Sequence, residues 1–232
     1  IPKSTVISCL YKSKAYEMAK VNGYSIALSI GYGDNTSEYT DEDSIQDQIV
    51  SIKIGPALTK ISDSAFAGAE NCKEVTFDEK STLTKIGNNA FAQTGIESVT
   101  LPDSVKTIGT SVFAECKSLK EADLGTIDNI PEKAFYDTAL AKVTSLDHVK
   151  AIGNYAFAKT KLQEYTVGDF IKKLGEGVFA ESSLTKLVIE NPNCIFPETA
   201  NLLPSGADIY GYVNSTADIY SQTYLNKSCT SL

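Results

Sequence analysis

Apolar residues recur along the chain at fixed intervals, with polar stretches between them. A phenylalanine preceded by Ala or Val falls at Phe66, Phe91, Phe113, Phe135, Phe157 and Phe179, first 25 residues apart and then every 22. Five residues before each stands an aliphatic side chain: Ile61, Ile86, Ile108, Ile130, Ile152 and Leu174. A Gly follows it at Gly87, Gly109, Gly153 and Gly175. Downstream of each Phe, apolar residues alternate as a half-buried strand requires, as in Ile96, Val99 and Leu101, or Leu184, Leu187 and Ile189. Residues 86–101, IGNNAFAQTGIESVTL, hold the whole unit.

Self-similarity at this period predicts a leucine-rich-repeat solenoid. One 22-residue turn cannot bury its own apolar face, whereas stacked turns bury a continuous core. The Phe column is expected to form an aromatic spine and the strand residues the opposite wall. The run IGNNAFAQTGIESVTLPDSVKTIG (residues 86–109) resembles the BspA-type, or Treponema-type, leucine-rich repeats. The pattern departs from that family at Pro131, at Leu124-Gly125-Thr126-Ile127 and at Leu146-Asp147-His148-Val149. The resemblance implies a mostly β solenoid with short extended and turn segments and little helix, and a second short extended segment per turn, near the S-V-x-x-I stretch. It also implies a bacterial, secreted or surface-attached protein connected with adhesion.

The two ends depart from the repeat but match each other. Shifted by 202 positions, LPSGADIYGYVNSTADIYSQTYL lies over IPKSTVISCLYKSKAYEMAKVNG without a gap. In the first copy a helix is expected around Ser13–Asn22, with a turn at Asn22-Gly23 and a strand through Tyr24, Ile26 and Leu28. The expected organisation is therefore a small α/β tail unit of a preceding array (1–29), an acidic linker (30–48), six repeats (49–190) and a C-terminal capping tail unit (191–232). The second tail unit also resembles the segments that end arrays in that family. A start at Ile1-Pro2-Lys3, without Met or leader pattern, suggests an excised piece of a longer protein.

Composition narrows function mainly by exclusion. The formal charge of −8 offers no basic footprint for nucleic acid. No apolar run approaches a membrane span, so no membrane insertion is expected of this piece. Cys9, Cys72, Cys116, Cys194 and Cys229 form no C-x-x-C pair and fit packing positions, with a Cys194–Cys229 bridge left open. Cys116 shares its column with Thr94, Thr138, Thr160 and Ser182, where a small group able to hydrogen-bond the turn backbone is expected. Gly175-Glu176-Gly177-Val178-Phe179-Ala180 matches a dinucleotide-binding fingerprint, but Gly175 is the repeat glycine, Phe179 is the repeat Phe, and no βαβ unit surrounds them. His148, the one histidine, sits in an inter-repeat turn away from any nucleophile pattern. The acids Asp34, Glu38, Asp41, Glu42, Asp43 and Asp47 lack EF-hand spacing and read as solvated. No catalytic residue, metal site or cofactor is expected, and the chain is expected to be a monomer.

A surface remains. Two outward columns are expected on the main strands. One runs through Glu74, Ser98, Glu121, Lys142, Glu164 and Lys186, the other through Thr76, Thr100, Asp123, Thr144, Thr166 and Val188. Of these, Glu74, Ser98, Thr100, Glu121, Asp123, Lys142, Thr144, Glu164, Thr166 and Lys186 are the candidate partner-binding residues, toward a host or matrix protein or a glycan. A basic stripe at Lys60, Lys85, Lys106, Lys150, Lys172 and Lys173 is a rival face, or a solubilising edge. The rivals to a non-enzymatic adhesion module are a structural spacer and a polysaccharide-binding accessory module.

Overall fold

A computed structural model describes residues 2, 4–32, 38–40, 44–226 and 228–232. In chain order its strands are β1 (Val6–Leu10), β2 (Ser25–Ile30), β3 (Glu38–Tyr39), β4 (Ile49–Ile54), β5 (Lys60–Ile61), β6 (Glu74–Phe77), β7 (Lys85–Ile86), β8 (Ser98–Thr100) and β9 (Thr107–Ile108). There follow β10 (Glu121–Asp123), β11 (Asn129–Ile130), β12 (Lys142–Thr144), β13 (Ala151–Ile152), β14 (Glu164–Val167), β15 (Lys173–Leu174), β16 (Lys186–Ile189), β17 (Asp208–Gly211) and β18 (Thr230–Ser231). Helix α1 (Lys14–Asn22) lies between β1 and β2, and α2 (Thr216–Leu225) between β17 and β18.

All pairing is parallel and falls into two rows, as a solenoid requires. The front row runs β1-β2-β4-β6, then β8-β10-β12, then β14-β16-β17-β18. The back row runs β3-β5-β7-β9, then β11-β13-β15. The second short segment implied by the family resemblance is this back row. It lies one residue or so upstream of the repeat Gly rather than at Ser104-Val105 itself.

Between the rows the six Phe side chains are fully buried and stack face to face. Their centroids lie 5.2–5.8 Å apart, at interplanar angles of 10–19°. The Thr column closes each turn onto the Phe carbonyl three residues earlier. Thr94, Thr138, Thr160 and Ser182 donate to Phe91, Phe135, Phe157 and Phe179 at 2.7–3.0 Å. Cys116 holds this position in its turn but donates its Sγ–H to the Phe91 carbonyl of the preceding turn at 3.0 Å, with Thr94 Oγ1 3.2 Å away.

A third set of hydrogen bonds joins the turns along the Phe column itself. Ser64, Phe66 and Gly68 donate their N–H groups to the carbonyls of Asn88, Ala90 and Ala92 in the next turn. The same triplet repeats from Asn89, Phe91 and Gln93, from Ser111, Phe113 and Glu115, from Lys133, Phe135 and Asp137, and from Tyr155, Phe157 and Lys159, all at 2.7–2.9 Å. The geometry depends on left-handed backbone two residues before and two after each Phe. Examples are Asn89 (φ 53°) and Gln93 (φ 57°), or Lys133 (φ 53°) and Asp137 (φ 58°). Unlike the two strand rows, this ladder has no gap from Phe66 to the turn of Phe179.

Residues 30–48 are not a free linker. Tyr39 is buried, pairs with Ile61 across β3 and β5, and stacks its ring 4.6 Å from Phe66 at 8°. Ile45 is also buried in the common core. The described part of this stretch is stacked on the array, with the Tyr39 ring extending the Phe column, and its polar neighbours hide this in the sequence. Asp34, Asp41, Glu42 and Asp43 lie outside the described residues. The N-terminal unit is likewise stacked on this array, not set apart from it: β2 pairs with β4, and Tyr11 packs edge-on against Tyr39 at 5.0 Å. At the other end, all five cysteines are free, so Cys194 and Cys229 form no bridge.

One core residue breaks the pattern. Tyr165 stands where sister turns have Val75, Val99 or Leu187. Its ring lies 5.4 Å from Phe157 and 5.0 Å from Phe179, and its hydroxyl is buried without a hydrogen-bond partner. Burial pushes its ionisation well above the usual tyrosine range. Because an unsatisfied buried hydroxyl costs about 1–3 kcal/mol, Tyr165→Phe is expected to raise stability by about 1 kcal/mol or more. A urea titration checks this, and a lowered midpoint would show that the hydroxyl is satisfied in solution.

Candidate functional site

The candidate residues do lie on one wall, because β-strand alternation sends every second side chain of the front row outward. Their register is fixed by strand pairing. Glu121 faces Ser98 on one side and Lys142 on the other, and Glu164 faces Lys186. This register ties up most of the charge. Lys142 lies 3.7 Å from Glu121, and Lys186 lies 3.8 Å from Glu164. Lys186 also sits over the Tyr210 ring at 5.2 Å. Such exposed pairs are worth about 0–1 kcal/mol each, so they shape the local field more than they hold the fold.

Asp123 turns back on its own loop. Its carboxylate is held below the usual range first by a hydrogen bond from the Ser145 side chain, against the opposing effect of desolvation. The Gly125 N–H, 3.1 Å away, and Thr144 also donate to it. Asp123 and Thr144 therefore shape the turn, and Thr144 is half-buried.

Three candidates come together differently. Glu74, Ser98 and Thr100 line a cleft of about 800 Å³ at the C-terminal ends of β6 and β8, with Thr76, Asp78 and Asp103. No ladder joins β6 to β8 among the described residues, although the two strands still lie side by side and Glu97 N–H reaches the Lys73 carbonyl at 3.4 Å. The stretch from Phe77 to Ile86 along this cleft is two residues longer than its counterpart from Leu101 to Ile108, and supplies two of the three extra residues of this interval of the repeat. The Glu74 carboxylate has no ion pair or hydrogen bond among the described residues. The Ser104 hydroxyl at the cleft edge is buried without a partner. Asp78 is engaged, accepting from the Tyr32 hydroxyl and the Lys80 N–H. Glu74, Asp78, Glu79 and Asp103 outnumber Lys73 along the lining, so the cleft is acidic.

Thr166 lines a smaller groove beside Phe170, whose ring is 63% exposed. The sequence reading passed over Phe170. Aligned on the turn L-P-D-S-V, it replaces Ser104 by an aromatic ring, which is the signal that would have found it.

The back-row lysines are less available than the sequence implied. Lys60 pairs with Glu38, and Lys150 lies 3.1 Å from Asp128. Lys106 donates to the Asp103 carbonyl and to Thr126.

The chemistry-like motifs resolve into packing. A side chain on Gly175 would meet the Asn154 N–H and the Gly153 carbonyl carbon at 2.6–2.7 Å, and Gly177 lies against the Tyr155 ring. Both glycines serve the contact between turns. His148 is exposed in its turn. Burial pushes the thiols of Cys72 and Cys194 up to about 12 and that of Cys116 to about 11, which leaves them unreactive at neutral pH. Among the described residues no group of three or more His, Cys, Asp or Glu is placed to hold a metal ion. No helix among them is long and apolar enough to cross a membrane.

A family profile described as "BspA type Leucine rich repeat region" matches residues 44–145 and 128–200 in six copies. The chain belongs to this family. Among solved structures, the BspA-type solenoid resembles the pneumococcal vaccine antigen PcpA, at 25% identity and a TM-score of 0.52, over 80% of this chain and 56% of that one. It also aligns with a leucine-rich repeat protein from Bacteroides ovatus (19% identity, TM-score 0.46, 81% of this chain, 59% of that one). A third is a leucine rich cell surface protein from Faecalibacterium prausnitzii (15% identity, TM-score 0.45, 82% and 65%). The chain thus spans less than two thirds of each. No curated protein matches it.

Proposed function

We propose that this BspA-type solenoid is a non-catalytic adhesion module of a secreted or cell-surface protein, and that it binds through its front-row wall at the cleft between β6 and β8. The observation that carries this reading is the Glu74 carboxylate, unpaired among the described residues, beside Ser98 and Thr100 in a cleft of a wall whose other charges are largely neutralised by neighbours. A partner reaching this cleft meets acidic and hydroxyl groups. It therefore fits a basic segment of a host or matrix protein better than an anionic glycan. Glu121, Lys142, Glu164, Thr166 and Lys186 flank the cleft along the same wall and would contact a larger partner. The likeness to PcpA, described as a vaccine antigen, fits a protein met from outside the cell.

Saturable binding of the full chain to one component of matrix-protein and glycan arrays is the expected result. Glu74→Lys should weaken that binding about tenfold or more, as loss of a central contact worth over 1 kcal/mol does. Lys85→Glu and Lys150→Glu, on the back row, should leave it unchanged. Loss through the back-row variants alone would move the site to that face. Silence across both arrays would favour a rigid spacer, a second reading supported by the parallel pairing of β2 in the N-terminal unit with β4 of the array. Turnover of any array component would overturn the non-catalytic assignment.

A further inference from the structure

The two strand–helix–strand units, β1-α1-β2 and β17-α2-β18, are built alike down to their strand register. Each enters its helix through a left-handed residue, Lys12 (φ 58°) and Asn214 (φ 61°), followed by a serine N-cap, Ser13 and Ser215. The offset between them is 202 residues up to the helix and 203 after it, because α2 is one residue longer than α1. With that allowance the pairings coincide. Ser8↔Ala27 and Cys9↔Leu28 in the first unit correspond to Tyr210↔Thr230 and Gly211↔Ser231 in the second.

Each unit shows a different half of its surroundings. In the second unit, the free edge of the first strand is occupied. β17 takes β16, with Lys186↔Asp208, Leu187↔Ile209 and Val188↔Tyr210. In the first unit, the free edge of the second strand is occupied. β2 takes β4, with Ala27↔Ser51 and Leu28↔Ile52. Among the described residues β1 and β18 are the outermost strands of their sheets, so the partner seen on β17 has no counterpart on β1, and the partner seen on β2 has none on β18. An unpaired edge of parallel strand is a template for another strand.

We infer that this unit is a coupler that runs one leucine-rich array into the next without a break in the front row. Its first strand accepts the last front strand of one array, as β17 accepts β16. Its second strand accepts the first front strand of the following array, as β2 accepts β4. The occupant of each open edge is thus a parallel front strand of another BspA-type array, with the alternating aliphatic pattern seen in β4 and β16. The helix packs against the strands of its own unit, and a coupler of this design could recur along a rod.

The test joins residues 1–226 directly to residues 24–232 of a second copy, so that a single unit stands between two complete arrays. A comparison protein carries two whole chains on a flexible Gly-Ser linker. Small-angle scattering of the direct fusion is expected to report one rigid rod of roughly twofold greater maximum dimension, since the number of stacked levels nearly doubles. The linked pair should scatter as two bodies. In the fusion, the amides of Ser25–Ile30 at the joint should exchange as slowly as those of the same strand in the N-terminal copy. Two-body scattering by the fusion, fast exchange at the joint, or misfolding of the fusion while the linked pair folds would each overturn the inference.

Discussion

Phe113→Ala is expected to destabilise the protein by about 3–5 kcal/mol, the usual cost of emptying a buried aromatic site. The Phe113 ring is wholly buried, 5.6 Å from Phe91 and 5.5 Å from Phe135, so its removal leaves a gap that neither neighbour fills without abandoning its own stack. The effect should also be non-uniform. In a stack each turn contacts only the turns beside it, so weakening one interface near the middle uncouples the two halves. Urea unfolding followed by hydrogen exchange is expected to show residues on the two sides of Phe113 losing protection at different denaturant concentrations. The unaltered chain should lose protection more nearly together. A single transition with an unshifted midpoint would mean that the ring spine contributes little.

Gly109→Ala is expected to cost about 3 kcal/mol, toward the upper end of overpacking penalties. A β-carbon at Gly109 would lie 2.4 Å from the Asn88 nitrogen, 2.5 Å from the Gly87 carbonyl carbon and 2.6 Å from the Asn88 α-carbon. All three are backbone atoms, so relief requires the turns themselves to separate. That separation would strain the bond from Asn88 Oδ1 to the Thr110 N–H and the triplet donated from Asn89, Phe91 and Gln93. Gly168→Ala is the control. Its nearest neighbour would be a Glu190 carboxylate oxygen at 3.8 Å, and loss of unfolded-state freedom should leave stability equal or slightly higher. Equal losses at the two positions would show that close approach of the turns is not what the repeat glycine provides.

The Phe, aliphatic and Gly columns were legible in the sequence because each is one residue type, or one narrow class, at constant spacing. The Phe-column ladder was not. It rests on left-handed backbone at Ser64, Asn89, Ser111, Lys133 and Tyr155, which share no chemistry and leave no pattern. Residues 30–48 were misread because polarity outweighed two isolated signals, Tyr39 and Ile45, and only the stacking of Tyr39 on Phe66 reveals that the stretch joins the array. For the surface, alternation along strands sufficed to name the outward residues. Which of them neutralise one another depended on cross-strand register, as with Glu121 and Lys142. The cleft had a signal in plain view, the 25-residue interval between Phe66 and Phe91. Its meaning, a lengthened loop after β6 that lines the cleft, needed the structure.

The unbroken ladder beside the Phe spine is electrically one-sided. At each level three N–H groups point toward the C-terminal end of the stack and the three carbonyls they meet point back toward the N-terminal end. The peptide units 88–89, 90–91 and 92–93 are therefore aligned with one another and with their counterparts in every later turn. Parallel peptide dipoles add, as they do along a helix. In the strand rows, by contrast, successive peptides alternate in direction and largely cancel. The solenoid is thus polarised along its length, carbonyl-lined and negative toward its first turns, N–H-lined and positive toward its last. Stacking further turns in the same sense lengthens that dipole without reversing it.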